Sequence, residues 1–286
     1  MKTATKIIRN RIVLIFDYDS TLGPGTTGEL FKSLDIDYEP FHTKVNSRID
    51  EEMWQYPLSK AETLREYSQQ DGSKLTRQAM EELGKNYPLF DGVETFVKRL
   101  RKYSNELDTD VTLEFVMLTA GFGVIPKASV IAESFDRMYA GELIFDEEGR
   151  ILGAKRIISH VDKVHYIKQL QEGIPFERPS DLENTYLETD PDDHYVPMSQ
   201  IFYVGDGASD MSAFQAVESG GGIAIAVVPH GDDENWSGYE MMDKKRRVHN
   251  VAKARYEDDD ELFIALKHAI ARNIYEIKLL RLGKGE

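Results

Sequence analysis

Two aspartates directly follow a short apolar run near the start of the chain, and their types and spacing favour chemistry on a charged ligand. The run is residues 12–16, and Asp17 and Asp19 come next. A spacing of two residues puts both side chains on the same side of an extended segment. For an isolated Asp-x-Asp, a turn that ends a strand is the simpler interpretation, because Asp favours turns. Other parts of the chain decide between a ligand site and a simple turn.

Two further apolar runs are followed by polar residues of complementary types. Residues 113–118 precede Thr119, Ala120 and Gly121, which offer a hydroxyl and a backbone flanked by glycine. Residues 201–204 precede the stretch Gly205-Asp206-Gly207-Ala208-Ser209-Asp210. A helix that begins near Ala208 would direct its amides back at the site, and Asp210 could help to fix that turn.

The carboxylates gathered by these runs favour a magnesium site. Strands of an open α/β sheet place ligands at their carboxyl ends, so three strand ends would bring up to four acids together. Unpaired acids at such short separations repel one another. Mg²⁺ prefers oxygen ligands and is typically held by one or two carboxylates together with a substrate phosphate. The sequence therefore predicts a site for a phosphate dianion with Mg²⁺.

The elements that must position these residues form an alternating pattern. Four apolar runs rich in branched residues suit strands buried on both faces of a parallel sheet, and a weaker strand is predicted over 248–252. Helical stripes separate them, as over 93–100 and 262–270. Alternation of strand and helix predicts an α/β doubly wound, mostly parallel sheet. Residues 141–154 predict a hairpin, and residues 178–199 predict an acidic surface loop.

One segment interrupts the alternation. Residues 24–91 open with a turn-rich stretch and then carry only helical patterns, among them a capping-box match from Ser59 to Glu62. We therefore expect a core domain made of residues 1–23 and 92–286, with a small helical domain, residues 24–91, inserted after the first strand.

Composition excludes several classes of function. The chain has 286 residues, no cysteine and a formal net charge of −15, which disfavours a broad nucleic-acid surface and excludes thiolate chemistry. No apolar run approaches the length of a membrane span, and the five apolar residues after the basic start are too few for a signal peptide. We therefore expect a cytoplasmic protein with no membrane or nucleic-acid partner. The basic tetrad 244–247 is interpreted as a solvated face.

Four motifs taken in order resemble the haloacid dehalogenase (HAD) superfamily, and within it the phosphoserine-phosphatase-like branch. The resemblance covers residues 10–23 and 92–270. Each motif alone is weak, whereas all four in order, each at a strand end or helix start, are specific. The motifs are Asp17-x-Asp19-x-Thr21, Thr119, Lys163 and Gly205-Asp206-Gly207-x-x-Asp210.

The resemblance implies a role for each matched residue. It makes Asp17 the nucleophile that forms an aspartyl-phosphate, and Asp19 the acid and then the base. It assigns the phosphoryl oxygens to Thr119 with the neighbouring Ala120 and Gly121, and charge neutralisation to Lys163. It implies that Mg²⁺ is held by Asp17, Asp19 through its backbone carbonyl, Asp206 and Asp210. Lys127, Lys155 and Lys168 are rivals of Lys163 for its role.

The resemblance also implies that the inserted helices form a cap that helps to choose the substrate. Phosphoserine phosphatases carry a glutamate shortly after the first motif, and this chain instead has Gly25, Thr26 and Thr27, with Glu29 only later. This departure argues against phosphoserine. Arg48 and Arg65 are candidate substrate-reading residues of the cap, and solvated helix faces are the favoured interpretation of both.

These inferences predict a Mg²⁺-dependent phosphatase that hydrolyses a small phosphomonoester metabolite through an aspartyl-phosphate. One alternative is a phosphotransferase or mutase that uses the same intermediate. Another is a non-catalytic phosphate-binding protein on the same fold. A dehalogenase is disfavoured, because those enzymes lack the second acid that Asp19 supplies and need no metal.

Overall fold

The computed structural model describes residues 8–174, 190, 193–207, 209–229 and 248–284. Within them seven strands form one sheet in the order β4-β3-β2-β1-β5-β6-β7, parallel throughout except for the antiparallel pair β3 and β4. The strands are β1 (Arg11–Phe16), β2 (Thr112–Phe122), β3 (Arg137–Phe145), β4 (Ile151–Arg156), β5 (Ile201–Gly205), β6 (Ile223–Val228) and β7 (Asn250–Lys253). The predicted α/β doubly wound sheet is therefore confirmed.

Helices cover both faces of this sheet, and further helices contact the hairpin of β3 and β4 at one edge. They are α1 (Thr26–Ser33), α2 (Glu39–Glu52), α3 (Tyr56–Ser68), α4 (Arg77–Lys85), α5 (Val93–Leu107), α6 (Val124–Ala128), α7 (Asp162–Glu172), α8 (Met211–Ser219) and α9 (Glu261–Lys284). None of the helices in the described ranges combines the length and the apolar content that crossing a membrane requires.

The sequence of β1 is apolar without alternation because both faces of the strand are buried. Leu14 and Phe16 pack into the apolar cluster that contains α5 and α9, whereas Val13 and Ile15 pack into the cluster that contains α7 and α8. Both faces of the strand are thus buried, as expected for a central strand of a parallel sheet. The chain crosses from β1 to β2 on one side and later returns to β5 on the other. This reversal opens a crevice at the carboxyl ends of the three strands.

Strand β2 is longer than predicted, so Thr119 lies inside it rather than after it. The ladder between β2 and β3 shifts register between Leu118 and Phe122. An irregularity of this kind leaves residues out of regular pairing, and it often lies beside a functional site. The predicted hairpin is confirmed as β3 and β4, and the weak strand is β7 at 250–253. The basic tetrad 244–247 and most of the predicted acidic loop lie outside the described residues.

The inserted segment 24–91 contains four helices, α1 to α4. The capping-box prediction at Ser59 is wrong, because α3 already begins at Tyr56 with Pro57 in its first turn. Proline suits the first turn, where its missing N–H costs no hydrogen bond. The Ser59 hydroxyl instead donates to the carbonyl of Val45 in α2, at 2.9 Å.

Hydrogen bonds tie the inserted helices to the β3–β4 hairpin. The Ile151 amide donates to Ser68 Oγ at 2.8 Å, and Gln69 Nε2 donates to the Ile151 carbonyl at 2.9 Å. The Arg77 amide donates to the Gly149 carbonyl at 2.8 Å. The large apolar cluster also continues from the sheet into α1, α2 and α3. Helix α3 is therefore held in a defined position relative to the sheet.

Candidate active site

Asp17 lies at the centre of the crevice. Its amide continues the β1–β5 ladder by donating to the Val204 carbonyl at 2.9 Å, and the residue is 3% exposed. The backbone of the sheet therefore fixes the position of this side chain, and burial removes it from most of the surrounding water. A buried carboxylate is costly unless a cation or hydrogen-bond donors compensate its charge.

Asp19 stands on the turn that leaves β1. Ser20 has a φ of 59°, in the left-handed region, and this conformation turns the chain sharply. The amide of Thr26, at the start of α1, donates to Asp19 Oδ1 at 2.7 Å. Unpaired amides and the positive end of the helix dipole both favour a carboxylate at this position. One oxygen of Asp19 is thereby held, and Oδ2 remains for other contacts.

Thr119 and Gly121 lie beside Asp19. The Gly121 amide donates to Thr119 Oγ1 at 3.0 Å, and Thr119 is buried. A Cβ atom on Gly121 would lie 3.0 Å from Asp19 Oδ2 and 3.2 Å from Thr119 Oγ1, which is tighter than ordinary packing. A glycine at this point in β2 allows the strand to approach the Asp19 carboxylate closely.

A fully buried lysine joins two of the carboxylates. Lys163 Nζ, in the first turn of α7, lies 2.5 Å from Asp210 Oδ1 and 3.3 Å from Asp17 Oδ1. Burial alone would lower the pKa of this lysine, but the Asp17 and Asp210 carboxylates outweigh that effect and raise it above its ordinary value. The ammonium group is therefore charged and committed to these two acids.

Asp210 contacts the turn that it was expected to help fix, because its Oδ2 accepts from the Gly207 amide at 3.5 Å. Helix α8 begins at Met211, three residues later than predicted, and Asp210 makes no side-chain capping bond there. Its Oδ1 instead accepts from Lys163 and from the hydroxyl of Tyr203, the latter at 2.6 Å. An ammonium and a buried phenol are stronger partners for a buried carboxylate than a backbone amide.

Three of the acids can share a cation. One oxygen each from Asp17, Asp206 and Asp210 can be chosen so that all three lie within 4.8 Å of one another. Asp17 Oδ1 is buried, and its contact among the described residues is the 3.3 Å ion pair with Lys163. A cluster of hard oxygen donors, in which one lysine serves two of the acids, fits Mg²⁺. The Asp19 carboxylate, bound to the Thr26 amide, is not part of this group of three.

The pKa values of the acids support the same interpretation. Burial raises the pKa of Asp17 to about 7, with Lys163 opposing the shift and Asp210 adding to it. Burial likewise raises the pKa of Asp206 to about 8, and the neighbouring Asp17 carboxylate adds to this effect. Both acids therefore resist ionisation at neutral pH until a further positive charge compensates them.

The acids open into a cleft of about 170 Å³ between the sheet and α3. The sheet side contributes Thr119, Ala120 and Gly121, which were predicted from the sequence, whereas Phe122 and the residues contributed by α3 were not predicted. The lining residues are Asp17, Asp19, Tyr56, Pro57, Lys60, Thr119, Ala120, Gly121, Phe122, Ile157, Asp206 and Ser209.

Several candidates from the sequence lie elsewhere. Lys127 and Lys155 line a separate groove between α4, α6 and the hairpin, and Lys168 is exposed on α7. Arg48 pairs with Glu66 at 2.6 Å, and Arg65 pairs with Glu62 at 2.5 Å. Both arginines are thus engaged within the inserted helices, and neither is among the described lining residues of the cleft. Arg48 is also no solvated residue, since its side chain is only 12% exposed.

Among the residues that sequence reasoning missed, Tyr203 and Lys60 carry the most chemistry. Tyr203 looked like one apolar residue of a buried strand, and only the position of Asp210 reveals the use of its hydroxyl. Lys60 resembles an ordinary polar residue of a helix, because the capping-box match that spans it gives the lysine no chemical role. The signal for Lys60 is the fold itself, which brings the first turns of α3 over the strand ends.

Comparison with known proteins agrees with this architecture. No family model matches the chain. An uncharacterized protein of Borreliella burgdorferi is 22% identical over 89% of this chain and 94% of its own length. A HAD-family hydrolase of Salmonella enterica superposes with a TM-score of 0.56 at 12% identity, over 88% of this chain and 72% of that one.

Two phosphatase structures are also similar. A phosphoserine phosphatase with an analogue of its phospho-aspartyl intermediate has a TM-score of 0.53 at 17% identity, over 91% of this chain and 99% of that one. Cytosolic 5'-nucleotidase IIIB bound to cytidine has a TM-score of 0.51 at 16% identity, over 94% and 88%. The chain therefore has the fold of HAD-family hydrolases, and the resemblance predicted from its motifs is confirmed at the level of the fold.

Proposed function

We propose that this chain is a Mg²⁺-dependent phosphatase of the HAD superfamily that hydrolyses a small phosphomonoester through an aspartyl-phosphate. The observation that carries the proposal is the buried Asp17, set among Asp206, Asp210 and Lys163 at the carboxyl edge of β1. Supporting it, the fold is that of hydrolases, among them a phosphatase described with an analogue of a phospho-aspartyl intermediate.

Asp17, Asp206 and Asp210 would hold the metal, with the backbone carbonyl of Asp19. Bound there, Mg²⁺ would supply positive charge that offsets the phosphate and keeps the carboxylates ionised. Without compensation, a carboxylate about 3.5 Å from a phosphate meets a repulsion of roughly 5 kcal/mol per unit charge at an effective dielectric constant of 20. Lys163 adds a fixed positive charge beside the Asp17 oxygen.

The reaction follows in two balanced steps. A carboxylate oxygen of Asp17 bonds to phosphorus while the ester oxygen leaves and takes a proton from Asp19. Asp19 then removes a proton from water, whose oxygen bonds to phosphorus as the Asp17 oxygen departs. Thr119 and nearby amides orient the phosphoryl oxygens. The Thr26 amide on Asp19 Oδ1 holds the acid in place and leaves its other oxygen for the proton.

The same proposal treats residues 24–91 as the cap. Helix α3 borders the cleft, and water exclusion by such a segment would protect the intermediate until the alcohol has left. The cytoplasmic location expected from the sequence is part of this proposal, and fractionation of cells would test it.

The test is a panel of phosphorylated metabolites assayed for released phosphate with Mg²⁺ and with EDTA. We expect turnover of at least one small ester that needs Mg²⁺ and that disappears in Asp17→Asn. With 4-nitrophenyl phosphate, whose leaving group needs no proton, Asp19→Asn should accumulate a phosphoenzyme that hydroxylamine cleaves, as it cleaves an acyl phosphate. Failure of the folded, magnesium-loaded protein to hydrolyse any ester would contradict the proposal and favour a binding protein on this fold.

A further inference from the structure

The cleft contains a cation, Lys60, for which the described residues supply no partner. Lys60, in the second turn of α3, is half-buried and lines the cavity with the acids of the site. In the described part of the chain it makes neither an ion pair nor a hydrogen bond. The chain has 50 acidic and 35 basic residues, so a counter-ion is not scarce. Arg48 and Arg65, in the same group of helices, are both paired with glutamates.

The position of Lys60 is set by the packing of its helix. The neighbouring Ser59 is fully buried and donates to the Val45 carbonyl of α2. At the other end of α3, Gln69 and Ser68 bind the hairpin backbone at Ile151. The lysine therefore projects from a fixed support, and a ligand that meets it loses less entropy than it would on a mobile loop.

The remaining cation of the cleft region cannot serve a substrate in the same way. Lys163 is fully buried and lies against Asp17 and Asp210, so its charge is already used. Lys60 forms no such ion pair with the described residues. The walls beside it are apolar or aromatic, from Tyr56, Pro57, Phe122 and Ile157. Hence Lys60 is the group that a polar part of the substrate beyond the phosphate would meet.

The acids of the cleft indicate which charge the substrate should not carry beside its phosphate. The carboxylates among its described lining residues are Asp17, Asp19 and Asp206. All three have roles in the proposed reaction or its metal site. The lining therefore offers no spare carboxylate for an ammonium group on the substrate, whereas it does offer a spare ammonium for an anion.

We propose that Lys60 is a specificity-determining residue that binds an anionic group, a carboxylate or a second phosphate, on the alcohol part of the substrate. The substrate class is thus a small acidic phosphomonoester without an amine beside the anion. This inference rests on the proposed function for its reaction but concerns a different part of the ligand. A bond from a charged group to an anion corresponds to about 10- to 100-fold in affinity.

The test compares small two-carbon phosphate esters that differ in the remote group. These probes are phosphoglycolate, 2-hydroxyethyl phosphate, 2-aminoethyl phosphate and ethylene glycol bisphosphate, each assayed with wild type, Lys60→Met and Lys60→Arg. Lys85→Met is the matched control, since this lysine of the inserted helices is exposed and outside the cleft. We expect the lowest KM for phosphoglycolate or the bisphosphate, and the comparison of these two identifies the anion.

Lys60→Met should raise KM for the anionic probes about tenfold or more, with little change for 2-hydroxyethyl phosphate, and Lys60→Arg should retain most of the preference. An equal loss on all four probes would overturn the proposal, because Lys60 would then act on the phosphoryl group or on the acids. A wild-type preference for 2-aminoethyl phosphate would also overturn it.

A binding measurement keeps the inference separate from hydrolysis. Calorimetry with Asp17→Asn and with Asp17→Asn/Lys60→Met measures the affinity for phosphoglycolate and 2-hydroxyethyl phosphate without turnover. We expect the second variant to bind phosphoglycolate about tenfold more weakly and the hydroxyl probe equally well. If wild type hydrolyses no ester but this difference is found, the phosphatase proposal fails while the role of Lys60 stands. Equal affinities in both variants would refute that role.

Discussion

Replacing Lys163 with methionine should destabilise the protein strongly, because it leaves buried carboxylates without their cation. The ammonium lies 2.5 Å from Asp210 Oδ1 and 3.3 Å from Asp17 Oδ1. At an effective dielectric constant of 20 these separations correspond to attractions of about 7 and about 5 kcal/mol. Relief of the buried charge on lysine offsets much of this, so the expected loss in free energy of unfolding is about 3–5 kcal/mol.

The loss should depend on pH in a defined direction. Lys163 now opposes the rise in the pKa of Asp17, which stands at about 7. Without the lysine this pKa rises further in the folded state. The part of the penalty that arises at Asp17 is therefore present in full above that folded pKa and is lost as the pH falls and Asp17 takes up a proton, whereas the part that arises at Asp210 remains. Urea unfolding in EDTA should give a larger difference between variant and wild type at pH 8 than at pH 5.5.

Two further variants test whether the loss of stability comes from the orphaned carboxylate charge. Lys163→Met/Asp210→Asn removes the charge on both partners and should recover at least half of the lost stability, since no orphaned charge remains at Asp210. Lys168→Met, exposed on the same helix, should change stability by less than about 0.5 kcal/mol. A loss below about 1 kcal/mol for Lys163→Met at pH 8 would refute the reasoning, as would a double variant less stable than Lys163→Met alone.

Three further outcomes follow from the same geometry. Gly121→Ala pushes a methyl group against Asp19 Oδ2 and should lower kcat about tenfold or more, with circular dichroism showing an intact fold. Tyr203→Phe removes one donor from Asp210 and should lower the free energy of unfolding in urea by about 1–3 kcal/mol; an unchanged value would contradict that role. In EDTA, the free energy of unfolding should fall by about 2 kcal/mol between pH 5.5 and pH 7, because the buried Asp17, whose pKa is about 7, becomes ionised over this range. Saturating Mg²⁺ should remove this pH dependence.

The sheet and the sequence positions of most polar site residues could be predicted because both depend on local patterns. Continuous apolar runs identify strands buried on two faces, and parallel strands necessarily end at one edge. Asp17, Thr119 and Asp206 follow such runs, so their convergence needed no knowledge of side-chain contacts. Thr119 shows the limit of this reasoning, because β2 continues past it to Phe122 through a register shift that no local pattern marks.

The remaining features depend on tertiary contacts. A short motif predicted Ser59 as a cap, but the packing of α2 against α3 gives its hydroxyl to the Val45 carbonyl. Asp210 was expected to help fix the turn before the helix, and the Gly207 amide does bond to it, but its buried lysine and phenol partners were not predicted. Lys60 carries no local signal, since a helix of mixed polarity has several lysine-compatible positions and only the docking of α3 selects one.

The arrangement of charge in the cleft explains why two lysines are needed. Lys163 compensates acids that are already present, so it keeps Asp17 available without making the entrance attractive to an anion. The chain carries a net charge of −15, and its overall field therefore opposes a phosphorylated ligand. A cation committed to buried carboxylates cannot reverse that field, whereas an unpaired one at the cleft wall can do so locally. Lys60 thus provides a physical reason for an acidic substrate to enter a site whose floor is itself acidic.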